Sequence, residues 1–196
     1  MIRYGKDTDK ETLMRMWKNC FPQDTDRFIR FYFDRVYVNN ETLVYIENNQ
    51  AVASLQIIPY QIKTANNLFL GGYISGAMTN PDYRKRGYMD KLLHASFAEM
   101  VKKGYDYAFL IPQEKKLVEM YAKYGFRLCE KNSQLIVNKV IKTNNNWLNI
   151  KQCYFDETGI CLEKEPFFPN EHKGMIKRLN PTAEEIATLY IGMMLD

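Results

Sequence analysis

The chain has 196 residues, 27 Lys plus Arg against 23 Asp plus Glu, and a net charge of +4. With 46% hydrophobic and 26% charged residues it can build a packed core, which excludes whole-chain disorder. The mild surplus of cations does not by itself argue for nucleic acid, since a dedicated binder concentrates basic side chains on one face.

The elements follow in chain order. Ile2 to Gly5 reads as a short strand. Asp7 or Thr8 can cap a helix running through Asn19, with Leu13, Met14, Met16 and Trp17 apolar. Pro22 breaks it. Asp24-Thr25-Asp26 opens a second helix through about Val38, dense in aromatics from Phe28 to Tyr37. Thr42 to Glu47 and Ala51 to Lys63 are β-rich and joined by Asn48-Asn49, a dipeptide suited to a tight hairpin because Asn tolerates positive φ. Phe69 to Thr79 is the next strand, in which Gly71, Gly72 and Gly76 suggest a bulge or a close backbone approach. A helix spans about Gly87 to Lys103, with Met89, Leu92, Leu93, Phe97, Met100 and Val101 on one face. Strand Asp106 to Ile111, helix Glu114 to Tyr124 and strands near Phe126 to Cys129 and Gln134 to Ile141 follow. An Asn-rich turn at 142–146 ends this pattern. Beyond it, Trp147 to Phe155 and Gly159 to Leu162 read as strands, Pro166 to Gly174 as loop, and Pro181 to Tyr190 as a final helix. Some fifty residues rarely fold alone. The expected organisation is therefore a domain at 1–141 and an extension at 142–196 packed on it.

Thr79 to Met89 carries the strongest chemical signal. A strand runs into a turn marked by Pro81 and Asp82, then Arg84, Lys85, Arg86 and Gly87, then a helix. The first helical N–H groups lack intrahelical partners. The positive end of the helix dipole adds to them, and glycine lets a ligand approach the backbone. Such a device holds phosphate. Downstream, Tyr107 to Pro112 reads as a strand, and a short helix ends in Tyr121-Ala122-Lys123-Tyr124-Gly125-Phe126.

These two motifs, in this order, resemble the GCN5-related N-acetyltransferases (GNAT). The family's acyl-CoA motif is Arg/Gln-x-x-Gly-x-Gly/Ala; here it reads Arg84-Lys85-Arg86-Gly87-Tyr88-Met89. An aliphatic residue at the last place is similar to the branch of the enhanced intracellular survival acetyltransferases. The resemblance covers roughly residues 1 to 140. It implies an α/β (α+β) fold: a mixed, mostly antiparallel central sheet flanked by helices and splayed where the cofactor enters. It implies acetyl-CoA as cosubstrate and no metal. Backbone of Ala77, Met78 and Thr79 would lie along the pantetheine, with a backbone N–H near Met78 polarising the thioester carbonyl. Backbone N–H groups of Lys85, Arg86, Gly87, Tyr88, Met89 and Asp90 would receive the pyrophosphate. Because the weight falls on backbone, side chains at 85, 86 and 88 are expected to be permissive.

Amine attack on a thioester expels a thiolate, and a phenol with an ordinary pKa of ~10 suits its protonation. Tyr121 is the expected acid; Tyr124 competes for that role and reads more readily as a packing residue. The base is harder to place. Many relatives carry a Glu on the strand before the phosphate turn, and Phe69 to Thr79 contains no carboxylate. Glu41 and Glu47 read as exposed strand or turn residues, and His94 as a packing or surface residue. The longer proteins of the resembling branch use their own terminal carboxylate, which points to the apolar tail Ile191 to Leu195 and Asp196. Direct attack in a ternary complex is expected, since no nucleophile with an adjacent base is visible. The aromatics from Phe28 to Tyr37 read as core, or as an amine-friendly wall through cation–π contacts. Asp24 and Asp26 serve equally as helix caps or as attractors of a cationic acceptor.

Cys20, Cys129, Cys153 and Cys161 show no Cys-x-x-Cys pairing. With only His94 and His172 they write no zinc pattern. Reduced, mostly buried thiols are expected. No run approaches the ~20 apolar residues of a spanning helix, and Met1 to Lys6 has no signal-peptide core. A cytoplasmic protein with no membrane or nucleic-acid partner is the expectation. Its partner would be a small-molecule or peptide amine, with a homodimer left open. Two rivals stand beside this reading: a CoA-binding sensor or scaffold without a working base, and a nucleic-acid or ribosome-associated binder using Arg84 to Arg86.

Overall fold

The computed structural model describes residues 1–63, 67–129, 136–139 and 174–183. They form a mixed α/β fold whose sheet is mostly antiparallel and flanked by helices. The described chain divides into two compact units, the first holding 1–58 and 74–98, the second the remainder.

The first unit starts with β1 (Ile2–Tyr4), antiparallel to β2 (Thr42–Glu47) with Ile2 opposite Tyr45. β2 turns into β3 (Gln50–Lys63) through Asn48 and Asn49, whose φ values of 48° and 61° fit the two-residue hairpin expected from the dipeptide. Across this pair Tyr45 faces Ala53 but Ile46 faces Ala51, so Val52 is a bulged residue. The last residues of β4 (Leu68–Thr79) complete the path β1-β2-β3-β4. Val44, Val52 and Leu55 are fully buried.

Helix α1 (Lys10–Cys20) contributes Leu13, Met16 and Trp17 to this core, at the i, i+3, i+4 spacing of one helical stripe. Neither expected residue caps it. A 3₁₀ turn over Asp7–Asp9 precedes it, and the Asp9 carboxylate reaches back to the Lys6 N–H at 2.8 Å. Arg3 grips the same carboxylate with both terminal nitrogens, at 2.6 and 2.9 Å. α2 (Asp26–Phe31) is capped by Thr25, whose hydroxyl accepts from the Phe28 N–H at 3.2 Å, so neither Asp24 nor Asp26 caps it. The α-helix stops at Phe31, short of the expected Val38, and continues as a π turn over Tyr32–Val36 closed by Tyr37 N–H to Tyr32 O at 2.8 Å. The wider turn lets the neighbours Tyr32 and Phe33 both bury. The Tyr32 hydroxyl donates to Gln56 Oε1 at 2.6 Å, and Gln56 Nε2 donates to Val36 O at 3.0 Å, closing the end of the π turn.

Helix α3 (Tyr88–Lys102) buries Leu92, Leu93, Ser96 and Met100. The expected apolar face is corrected at its far edge: Val101 is 57% exposed. At about 100° per residue, 97 sits at the margin of the stripe and 101 falls outside it.

In the second unit, β4 runs parallel to β5 (Tyr107–Leu110), with Gly71 opposite Tyr107 and Tyr73 opposite Phe109. An added Cβ at Gly71 would lie 2.6 Å from Ile62, so the glycine marks the close approach expected of it. Tyr60, Tyr73 and Phe109 pack as an aromatic trio with centroids 5.3 to 6.1 Å apart. α4 (Lys115–Ala122) leads to β6 (Arg127–Leu128). β7 (Ile136–Lys139) pairs with β3. β8 (Met175–Arg178) lies antiparallel between β5 and β6. This strand lacks a sequence signal: its apolar residues Met175 and Ile176 are adjacent and two cations follow, so no alternation shows. Asp106 ties it down, accepting from the Leu70 N–H at 2.9 Å and from Asn180 Nδ2 at 2.8 Å. The expected elements at 147–155, 159–162 and 166–173, and 184–190 of the final helix, lie outside the described residues; Pro181 to Ala183 form a turn.

The Arg3–Asp9 contact has a pH signature. The Arg3 guanidinium holds the Asp9 carboxyl below the ordinary carboxylate range. Its contribution is complete above the unfolded value of ~4 and is lost as pH falls through the lowered folded value. Asp9→Asn is expected to cost on the order of 1–3 kcal/mol at neutral pH. Thermal melts should show the gap between mutant and wild type closing on acidification, and a pH-independent gap would exclude this contact as its cause.

Candidate functional site

The loop between β4 and α3 lies in the first unit. β4 bends before it: Gly76 has φ +56°, and an added Cβ would lie 2.6 Å from the Trp17 ring. Of the three residues that close the strand, Met78 is buried, while Ala77 and Thr79 are half-buried. Asn80 fixes the exit. Its N–H donates to the carbonyl of the bulged Val52 at 2.9 Å, and its side chain accepts from the Asp82 N–H at 3.2 Å. Pro81–Tyr83 form a 3₁₀ turn with proline at its start.

Two left-handed residues then steer the chain into the helix, Lys85 at φ +63° and Gly87 at φ +75°. Glycine takes this conformation without penalty, whereas lysine does so at a cost of about 1–2 kcal/mol. α3 makes its first backbone hydrogen bond from Lys91 N–H to Gly87 O at 3.1 Å. The N–H groups of the turn before it have no intrahelical acceptor. Among the described residues, apart from its chain neighbours, no atom lies within 4 Å of the place a Cβ on Gly87 would take. The glycine thus faces open space beside the positive end of a helix dipole. Arg84, Lys85 and Arg86 are all exposed around it. Lys85, Arg86, Gly87, Tyr88, Met89 and Asp90 are therefore together at one helix N-terminus, and this arrangement suits a pyrophosphate.

The cations are not equivalent. Arg84 Nε donates to the Thr79 carbonyl at 3.3 Å, which also accepts from Cys20 Sγ at 3.3 Å. Arg84 thus ties the turn back to the end of β4. Arg86 donates to Asp82 O at 3.3 Å, lies 4.9 Å over the Tyr83 ring, and has Glu47 Oε1 at 3.8 Å.

Sequence reasoning named Glu47 and Tyr88 separately and missed the contact between them. The Tyr88 hydroxyl donates to the Glu47 carboxylate, and the ring stacks on Tyr45 at 4.3 Å and 20°. The carboxylate pushes the Tyr88 hydroxyl above its ordinary pKa. A side chain expected to be permissive is 8% exposed and fixed on two sides. The available signal was period-2 alternation, which puts Tyr45 and Glu47 on one face of β2. His94 is exposed on α3, in line with the surface reading.

Of the aromatics of 28–37, Phe28, Phe31, Tyr32 and Phe33 are core and Tyr37 is half-buried. The cavity that Tyr32, Phe33 and Tyr37 line with Trp17, Gln56, Ser75 and Met78 measures about 10 Å³, room for one water. Asp24 is buried and accepts from Trp17 Nε1 at 2.6 Å, while Asp26 pairs on the surface with Lys18 at 2.6 Å.

Tyr121 belongs to the second unit. It is 7% exposed, with its ring edge-on to Phe126 at 5.8 Å. Phe126 N–H to Tyr121 O at 3.3 Å and Gly125 N–H to Ala122 O at 2.9 Å, with Gly125 at φ +85°, form a Schellman closure of α4. Tyr124 is half-buried in that closure, and its carbonyl accepts from Lys177 Nζ at 2.5 Å. Burial, then Tyr124, pushes the Tyr121 hydroxyl up to about 12. Asp196 lies outside the described residues.

A mixed, mostly antiparallel sheet with a basic glycine turn opening a helix defines an α/β domain whose loop has the chemistry to suit a phosphate. A family model described as an acetyltransferase (GNAT) domain matches residues 1–129, and the chain belongs to that family. No curated protein matches the chain. A GNAT-family acetyltransferase from Staphylococcus aureus MU50 is 17% identical, with a TM-score of 0.59 over 92% of this chain and 99% of that one. Rv2747 from Mycobacterium tuberculosis, solved with CoA, is 11% identical, with a TM-score of 0.57 over 91% and 98%. Eis1 from Mycobacterium abscessus is 12% identical, with a TM-score of 0.57 over 64% of this chain and 31% of that one. The chain likewise spans 32% of a GCN5-related N-acetyltransferase from Anabaena variabilis. At these identities the likeness establishes the fold. Among the described residues no helix is long and apolar enough to cross a membrane.

The raised hydroxyl of Tyr121 is directly testable. Difference absorbance titration of wild type against Tyr121→Phe should show this tyrosine ionising about two pH units above an unperturbed phenol. An unshifted titration would show that the side chain is solvated in the folded protein.

Proposed function

We propose that the protein is an N-acetyltransferase that moves an acetyl group from acetyl-CoA to a primary amine by direct attack in a ternary complex. The acceptor is a small-molecule or peptide amine. One observation carries the reading: in a chain of this family, Lys85 and Gly87 adopt the left-handed turn that leaves the start of α3 open beside exposed cations. When bound there, acetyl-CoA supplies the activated acyl group. The loop's N–H groups and cations bind and orient the phosphates. Cys20 is held against Thr79 O and Arg84 rather than against a base, which favours direct attack over an acyl-enzyme. Binding and orientation then supply much of the rate. Kinship with the enhanced intracellular survival branch rests on Met89 and on the fold shared with Eis1.

Tyr121 is proposed to hold the proton given to the leaving thiolate. Its raised pKa keeps the hydroxyl protonated throughout the neutral range. Asp196 is proposed as the base. The domain at 1–141 with its extension at 142–196, and the cytoplasmic location, belong to the same proposal.

Calorimetry should give a micromolar dissociation constant for acetyl-CoA, about −8 kcal/mol. Gly87→Ala should weaken it at least ~10-fold, because the new methyl fills the open space and strains a φ of +75°. Unchanged affinity in a folded Gly87→Ala protein would remove this loop from the site.

Thiol release on a panel of primary amines tests the chemistry. Tyr121→Phe should lower kcat by about 10²-fold with cofactor affinity kept, in the range of general acid catalysis. Deletion of residues 193–196, which removes Asp196 with both its carboxylates, should do the same and flatten the acid limb of the pH–rate profile. Full kcat in either variant strikes that residue from the mechanism. Cofactor binding without turnover of any amine would favour the sensor reading.

A further inference from the structure

We propose that Glu47 is the positioning residue of the cofactor loop: one carboxylate clamps the residues on both sides of Gly87 and so presets the backbone that meets the phosphates. The inference rests on the reading of the loop as the acetyl-CoA site.

Glu47 is placed with little freedom. It is the last residue of β2, opposite Gln50, and the two-residue Asn48–Asn49 turn fixes it there. From this place its carboxylate accepts the Tyr88 hydroxyl and has Arg86 Nη1 at 3.8 Å. Arg86 and Tyr88 are the immediate neighbours of Gly87. The Tyr88 ring is also stacked on Tyr45, and Lys91 Nζ lies 5.6 Å over the Tyr45 ring. Arg86 is steadied by Tyr83 and by the carbonyl of Asp82. β2 thus reaches the loop through Tyr45 and Glu47 at once.

The clamp addresses a specific weakness. Gly87 has no side chain, and among the described residues other than its chain neighbours no atom lies within 4 Å of where its Cβ would be, so no side-chain packing holds its φ. A free glycine turn samples many conformations, and ordering it on binding would weaken affinity. Fixing the residue before and the residue after removes most of that freedom in advance. The carboxylate also bears on charge. Beside an anion site, Glu47 opposes the ligand if it acts through its field alone. The two roles predict opposite signs, so the sign of the mutational effect decides between them.

The test uses the full chain with coenzyme A as the probe, in two arms. In the first, calorimetry is run on Glu47→Ala, Glu47→Gln, Tyr88→Phe and the Glu47→Ala/Tyr88→Phe double variant. Glu47→Ala should raise Kd about 10-fold, equivalent to about 1.4 kcal/mol. Glu47→Gln keeps an oxygen for the Tyr88 hydroxyl and should recover most of the affinity. The double variant should be no weaker than the worse single one, because both changes break the same bond. In the second arm, hydrogen exchange is followed in the ligand-free protein. Glu47→Ala should speed exchange of the Lys91 amide, whose acceptor is Gly87 O, several-fold and leave buried β2 and β3 amides such as those of Val44 and Leu55 unchanged. Equal or tighter CoA binding by Glu47→Ala, or unchanged Lys91 exchange, overturns the proposal. Failure of the wild-type protein to bind CoA overturns the functional reading instead, and the exchange arm then still decides whether Glu47 orders the loop.

Discussion

Everything proposed for this protein depends on how the chain leaves β4 and enters α3. A strand delivers its backbone along one direction, and a helix must start along another. Here the change is made by left-handed residues, Lys85 and Gly87, close together in a basic turn. Nothing in the local sequence makes Lys85 prefer that conformation; it is imposed by what surrounds the turn. Thr79 O is tied to Arg84 and Cys20, Asn80 N–H is tied to the bulged Val52, and Glu47 holds Arg86 and Tyr88. Strain at a turn persists only when its surroundings over-determine it, and these contacts come from α1, β2 and β3 separately.

The legible part of the fold was the part written in period and punctuation. The Asn48–Asn49 hairpin, the strand into Thr79 and the amphipathic α3 follow from Asn tolerance of positive φ, β-rich runs and a repeating apolar face. The turn at Arg84 to Gly87 was legible because its chemistry needs a glycine and cations in sequence. What stayed hidden depends on contacts between distant segments. β8 is a strand because β5 and β6 offer it ladders and Asp106 anchors its end, not because Met175 to Arg178 alternates. The π turn at Tyr32–Val36 exists because both neighbouring aromatics find core and Gln56 closes its last carbonyl. Asp9 and Thr25, rather than Asp7 or Asp24, serve the helix starts because Arg3 is in reach of the first and Phe28 N–H of the second.

The candidate site divides along the same line. Backbone groups that receive phosphate can be assigned from a motif, since position on the strand–turn–helix is all they require. Side chains that hold the backbone in place cannot, because they come from other elements. Tyr88 looked interchangeable as a motif position and proves fixed on two sides as a packed residue. Glu47 looked like a solvated strand end for the same reason. Asp24 and Asp26 show the converse. Both were plausible attractors for a cationic acceptor, yet one is committed to Trp17 and the other to Lys18.

Recognition through backbone, as proposed here, would be compatible with the 17% and 11% identity of this chain to the two solved structures that it covers almost in full. An N–H donor is the same in every residue but proline, so a pyrophosphate held by N–H groups places few demands on side chains. The demand moves outward, to whatever keeps those groups aimed. Many different sets of neighbours can meet it, since the only requirement is that a glycine turn be held still. In this chain the set is a carboxylate at the end of a hairpin, a tyrosine at the head of a helix and an arginine before the glycine. Backbone recognition leaves the choice of clamp open, so the clamp is where the sequence of one member can depart from that of another without loss of the ligand. Residues such as Glu47 are therefore invisible to a motif and decisive in a structure.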